Sequence, residues 1–213
     1  MNLISVLALC LFTGYFAGSI NPAIILSKSK GRDIRTLGSG NAGATNTLRN
    51  FGKLSALIVL LADVLKCVVA VLFGGFIAKT FNQGIELLGE IAAAMGCILG
   101  HNFPIYFKFK GGKGVVVSAT AIFMLDWRVG IAALLSFIVI FAISRYVSLG
   151  SVLSACIAVV ASVFFAYRSS WLLGNNLVLF FVIFAALLTI IRHHANIARL
   201  IKGTESKTTF SKK

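Results

Sequence analysis

The residues of this chain that could do chemistry sit in four short polar islands between apolar runs. The first island reads Gly38-Ser39-Gly40-Asn41-Ala42-Gly43-Ala44-Thr45-Asn46-Thr47-Leu48-Arg49. Gly38, Gly40 and Gly43 spell GxGxxG, and Asp63 lies twenty residues beyond Gly43. A dinucleotide fingerprint needs a preceding strand and an acid ending a second strand; here no strand precedes and Asp63 falls inside an apolar run. What remains is an anion nest. Glycines free backbone N–H groups, Ser39, Asn41, Thr45 and Asn46 add neutral donors, and Arg49 can grip a phosphate or carboxylate with two parallel bonds.

The second island runs from Gly100 to Gly114 and ends Lys110-Gly111-Gly112-Lys113-Gly114. It is not a Walker A loop, because Lys113 is followed by glycine and Phe107 stands where the upstream glycine is needed. Three glycines around Lys113 before a short helix still suit a phosphate at a helix N-terminus. Lys108 and Lys110 alternate with Phe107 and Phe109 and read better as snorkelling interfacial anchors. His101 reads as a hydrogen-bonded helix end or as a general base. The third island offers Ser148 and Ser151, i and i+3 on one helix face. The fourth begins at Arg192-His193-His194-Ala195-Asn196. If a helix continues through it, His193 and Asn196 share a face and His194 points away. Glu205 pairs with a nearby cation and holds the tail.

Composition says what must position these islands. Of 213 residues, 58% are hydrophobic and 12% charged, with twenty Lys and Arg against six Asp and Glu for a net charge of +14. Mean hydropathy is +0.95. A soluble domain would carry about 25% charge. A soluble enzyme, a disordered tail and a nucleic-acid domain are excluded, leaving a polytopic membrane protein. Apolar runs cover residues 3–27, 54–78, 84–100, 129–144, 147–167 and 171–191, and a shorter one covers 114–125. Most approach the roughly 20 residues that cross a hydrocarbon core. We expect an all-α membrane protein with seven transmembrane helices, the fourth span short. The first run lacks a cationic start and is expected to be retained, with its N-terminus outside. With seven spans, sixteen basic residues face one side and only Lys79, Arg128 and Arg168 the other, while Lys66 lies within a span. The basic side is cytoplasmic by the positive-inside rule, and it carries all four islands and the C-terminal tail. The chain is expected to be one domain, 1–213.

Within the spans, Asp63 and Lys66 are three apart and read as a neutralised structural pair. Glu86 and Glu90 suit a helix N-terminus, and Asn175 and Asn176 suit helix–helix contacts. Pro22 behind Asn21 is placed to break the first span. Cys10, Cys67, Cys97 and Cys156 lie in separate runs with no CxxC, supporting neither a disulfide framework nor zinc. No ladder of carboxylates crosses the bilayer, which counts against the rival reading, a transporter or channel for a phosphorylated solute. A purely structural membrane protein is the third reading. No HxxxxD dyad exists, because Tyr106, Ala198 and Arg199 occupy the fifth positions after the histidines, and there is no GxSxG elbow. The islands suit phosphate carried on a greasy body.

The ordered set of motifs resembles the bacterial acyl-phosphate:glycerol-3-phosphate acyltransferases of the PlsY type over nearly the whole chain. It comprises Gly18-Ser19-Ile20, the Ser39–Asn46 stretch with Arg49, Asp63-Val64-Leu65-Lys66, Gly100-His101 with Pro104, the stretch from Phe109 to Gly114, Ser148-Leu149-Gly150-Ser151, and Arg192–Ile197 with Gly203-Thr204-Glu205. The resemblance implies seven spans in the bacterial cytoplasmic membrane. It implies acyl transfer from acyl phosphate to the 1-hydroxyl of glycerol 3-phosphate, without a covalent acyl-enzyme, metal or cofactor. It implies that Ser39 and Arg49 serve the phosphate-bearing substrates and that Gly111, Gly112 and Gly114 around Lys113 form the glycerol 3-phosphate site. Ser148 or Ser151 matches the family's serine, Ser151 being preferred. His193 and Asn196 match the C-terminal active-site pair, and Glu205 a glutamate needed for integrity. Cys67, where the family usually has glycine, and Asn21 depart from the pattern and bear on local packing. No nucleic acid is expected as partner; lipids are.

Overall fold

The computed structural model describes residues 1–168 and 173–208, with the backbone alone for 173–175. Lys212, Lys213 and the side chain of Asn175 lie outside the described residues. Two compact units divide at residue 125. Helices make up both, with no strand among the described residues.

The first unit holds α1 (Leu3–Ser19), α2 (Pro22–Ser29), α3 (Ala44–Phe81), α4 (Glu86–Asn102) and α5 (Val115–Leu125). Asn2 starts α1, its side chain accepting from Ser5 N at 2.9 Å. The break expected at Pro22 is present, and Asn21 makes it: its side-chain oxygen accepts from Ile24 N at 3.1 Å, with Pro22 at the first helical position. Proline there loses no helical bond and has the right φ in advance. Asn21 is fully buried, so this departure from the family pattern acts as a helix cap. α3 is interrupted at Gly52, whose φ of 83° and ψ of 178° are non-helical. The first island therefore ends in a short helical segment, and the long apolar helix begins after it.

α1 and α4 approach closely because both are notched by glycine at i, i+4 spacing. A Cβ on Gly14 or Gly18 would overlap the α4 backbone at Ala93 or Cys97, and one on Gly96 or Gly100 would overlap α1. Small residues at such spacing are how helices pack where lipid, not water, is the solvent. Large apolar side chains stay outside: Leu57, Leu61, Leu65 and Phe76 of α3 are all exposed.

The second unit holds α6 (Trp127–Ser144), α7 (Val147–Arg168), α8 (Leu173–Arg192) and α9 (His194–Ile201). Asp126 caps α6 and pairs with Arg128 at 2.8 Å. Arg145, with φ 63°, turns the chain from α6 into α7. α7 buries a stripe of small residues, Ser151, Ser154, Ala158, Ser162 and Ala166, between its neighbours α6 and α8.

Four helical stretches among the described residues are long and apolar enough to cross a membrane, and the pair formed by α8 and α9, bent by 59°, makes a fifth. α4 has 17 residues and α5 has 11. At 1.5 Å per residue α5 reaches about 16 Å, half of a hydrocarbon core.

Candidate functional site

In the first unit the first island is a braced turn. Gly38 and Gly40, with φ 53° and 69°, flank Ser39; a left-handed backbone on both sides pushes the exposed serine outward. Asn46, 1% exposed, holds the turn from beneath. Its amide donates to Ile34 O (3.2 Å) and Leu37 O (2.9 Å), and its oxygen accepts from Ser39 N (3.2 Å) and the Asn50 amide (3.1 Å). The N–H of Gly40 goes to Leu37 O and that of Gly43 to Asn41 O. The expected nest of free N–H groups is thus not what Ser39, Gly40 and Gly43 form, because the turn spends those donors on itself. Asn46 likewise braces the loop. Ser39 and Arg49 are the exposed polar side chains, with Asn41 and Thr45 half-buried. Thr45 also lines a groove of about 290 Å³ with Ala44, Leu48, Ala56, Leu57 and Leu60.

Asp33 and Arg35 fix the approach to this turn. The Arg35 guanidinium bonds the Asp33 carboxylate at 2.7 Å and holds its pKa down, to about 2. Arg35 also donates to Phe107 O at 2.9 Å, linking the first island to the second.

The second island lies against the end of α4. Gly112 N–H donates to His101 O at 3.0 Å. A Cβ on Gly111 would overlap His101 O, and one on Gly112 would overlap the His101 ring and stand 2.8 Å from Ala42 O of the first island. The structure therefore brings the two islands together at Ala42 and Gly112. Glycine is required at 111 and 112 for close passage of the chain, a demand separate from the ligand access that the sequence suggests. Gly114, at φ 75°, turns directly into α5, where Ser118 N–H bonds Gly114 O at 2.7 Å. Lys113 is half-buried, whereas Lys108 and Lys110 are exposed. Asp63 and Lys66 meet at 2.8 Å as expected, but Lys66 also reaches Gly18 O, Ile20 O and His101. Sequence reasoning left His101 between a helix end and a general base; its signal is the position, one residue after Gly100 and ten before Gly111.

In the second unit Glu205 gathers the third and fourth islands. It accepts from Ser148 Oγ (2.7 Å), the Asn196 amide (2.6 Å) and Arg199 Nε (2.7 Å). Burial raises the Glu205 pKa, but the bonds from Asn196, Ser148 and Arg199 outweigh it and hold the carboxyl below its ordinary value. Thr208 N–H adds a bond to Arg145 O at 2.9 Å. Ser148 is thus occupied by Glu205, while Ser151, 2% exposed, donates to Val147 O in its own helix.

The helix does not run straight through the histidines. His193 N–H is shared between Thr189 O and Ile190 O at 3.1 and 3.0 Å, and the chain bends there, His193 becoming the residue before α9. The continuous helix expected from periodicity is corrected to two helices. The side-chain contrast is nevertheless present: His193 is 3% and Asn196 7% exposed, and His194 faces out. Thr189 O lies 2.8 Å from His193 Nδ1. A carbonyl can only accept, so Nδ1 carries the proton and a neutral ring has its acceptor at Nε2.

The chain as a whole is similar to known proteins. The glycerol-3-phosphate acyltransferase family model matches residues 8–203. A glycerol-3-phosphate acyltransferase of Endomicrobium trichonymphae is 40% identical over 93% of this chain and 94% of its own. One from Thermotoga petrophila is 40% identical over 94% and 95%. The fold superimposes on crystal structures of PlsY, an integral membrane glycerol 3-phosphate acyltransferase. The glycerol 3-phosphate form gives a TM-score of 0.81 at 32% identity, over 95% of this chain and 96% of that one. The lysophosphatidic acid form gives 0.78 at 34% identity, over 96% of each. With a match that spans most of its length, the chain belongs to the glycerol-3-phosphate acyltransferase family.

Proposed function

We propose that this protein transfers an acyl group from acyl phosphate to the 1-hydroxyl of glycerol 3-phosphate, giving lysophosphatidic acid and inorganic phosphate. The observation that carries the reading is the family match across residues 8–203, which includes the first three islands and the fourth as far as Gly203. Acyl phosphate is already activated, and its phosphate leaves readily. The protein has to hold two anionic substrates side by side and screen their charges, so proximity and electrostatics supply the catalysis. Arg49 and Lys113 neutralise phosphate, and Ser39 donates a hydroxyl hydrogen bond. Ser151 offers a substrate its hydroxyl lone pairs while its proton stays on Val147 O, and the Gly111–Gly114 turn cradles glycerol 3-phosphate. Asn41, Thr45 and the turn set by Gly40, Gly43 and Asn46 shape the first loop. His193, with Nε2 as acceptor and Asn196 nearby on α9, meets a substrate phosphate or hydroxyl. A substrate phosphate takes the hydroxyl proton, with His193 as the second choice. Ser148 and Glu205 act through the tail.

The whole chain acts as one acyltransferase domain in this reading, since the family match runs through the sequence of both units. It spans the cytoplasmic membrane of a bacterium seven times, α4 and the short α5 included, with the N-terminus outside and the islands at the cytoplasmic face. The basic loops support that orientation.

The test is phosphate release by detergent-purified protein from acyl phosphate, with and without glycerol 3-phosphate. Release that requires glycerol 3-phosphate and is matched by lysophosphatidic acid supports the reading. Release without an acceptor, or none at all, overturns it.

A further inference from the structure

The second island rests on a buried ionic brace. Lys66 Nζ lies 3.1 Å from Gly18 O and 2.8 Å from Ile20 O, carbonyls at the end of α1. The same ammonium is 2.8 Å from Asp63 Oδ1 and 3.0 Å from His101 Nδ1. Asp63 Oδ1 is itself 3.3 Å from that Nδ1. Asp63 and His101 are 2% and 4% exposed. Nδ1 is therefore held in either tautomer, accepting from the ammonium or donating to the carboxylate.

The opposite edge of the ring faces the loop. Its Nε2 packs on Gly112 so closely that a Cβ would overlap it, and the His101 carbonyl accepts the Gly112 N–H. Two more bonds run from the end of α1 to the same loop: Tyr15 OH donates to Phe103 O at 2.8 Å and Ile105 N to Ser19 Oγ at 3.4 Å. Two residues beyond Ser19, the Asn21 amide donates to Ala42 O of the first island at 3.4 Å. A pair needed only to neutralise charge within a span has no use for these extra contacts. Burying ions is costly, and the cost is tolerated where the geometry does something else.

We propose that His101, gripped by Lys66 and Asp63, is a positioning residue that sets the Gly111–Gly114 turn for the phosphate of glycerol 3-phosphate. This rests on the reading of that turn as the glycerol 3-phosphate cradle. His101 does not touch substrate: its ring fixes where the glycines pass and hence where Lys113 projects. Loss of the ring's grip should weaken capture of glycerol 3-phosphate selectively.

The experiment is steady-state kinetics on purified, monodisperse His101→Gln, Lys66→Gln and their double variant, varying each substrate in turn. Each single variant should raise KM for glycerol 3-phosphate about tenfold, with KM for acyl phosphate changed less than twofold. The double variant should be no worse than the worse single one, because the two residues act in series. Should His101→Gln not fold, Lys66→Gln together with Asp63→Asn decides the matter on the same split. Unchanged KM for glycerol 3-phosphate, an equal rise in both KM values, or a loss confined to kcat would overturn the proposal. Wild-type protein that makes no lysophosphatidic acid would instead overturn the reading on which it rests.

Discussion

Single residues divide into those that should carry the chemistry and those that only look as though they do. His193 and His194 are adjacent, yet one is buried beside α9 and the other is exposed. His193→Ala and Asn196→Ala should lose most activity, and His194→Ala should keep it, measured as initial rates at saturating substrates. Loss confined to His194→Ala would show that the wrong ring has been assigned. The lysines divide in the same way. A charge-assisted hydrogen bond contributes about 1.5–3 kcal/mol, roughly tenfold or more in rate if it forms in the transition state. Arg49→Ala and Lys113→Ala should fall by at least that factor, while exposed Lys108→Ala should be near wild type. Equal, mild effects at all three would point to diffuse attraction of anions. The expectation that Lys113 and Lys108 differ comes from the sequence, where glycines surround Lys113 and phenylalanines flank Lys108. The brace under His101 was not: it depends on Gly18, Ile20, Asp63 and Lys66 meeting in space across 48 residues or fewer of sequence, and periodicity carries no such information.

At the scale of elements, the tail after α9 is a strap whose strength depends on one carboxylate. The native pKa of Glu205 lies below its ordinary value of about 4.3. The unfolded state therefore takes up its proton first as pH falls. The strap's contribution is complete above that ordinary value and disappears as pH drops through the lowered native one. Wild type should melt above Glu205→Gln at pH 7, with the gap closing below about pH 4. A gap independent of pH would exclude charge as its source. Element boundaries were well marked where capping residues mark them, as at Asn21-Pro22. They were poorly marked at His193, where no glycine or proline announces the bend and a shared N–H tightens the last turn. The first loop misled for a related reason. Its glycines suggest exposed N–H groups, but Asn46, Leu37 O and Asn41 O take them.

For the whole molecule, charge asymmetry is the main argument, since lipid replaces water around most of the surface. Membrane character was legible from composition alone. The number of crossings was less so, because α5 with 11 residues is too short to announce itself by length. Seven crossings with a cytoplasmic site predict that single cysteines placed at Ser39 or Ser206, in a background with the native cysteines replaced, resist impermeant thiol reagents in intact cells and react after permeabilisation. Labelling of either from outside would reverse the topology. The chemistry proposed for the whole molecule turns on its acyl donor. In the proposed reading the four short islands are committed to phosphate, which leaves none of them to hold a nucleotide. The most direct measurement compares lysophosphatidic acid formation from glycerol 3-phosphate with acyl phosphate or with acyl-CoA, using one purified preparation. Product from acyl phosphate and none above background from acyl-CoA is the predicted result; robust turnover with acyl-CoA in the absence of acyl phosphate would contradict the account.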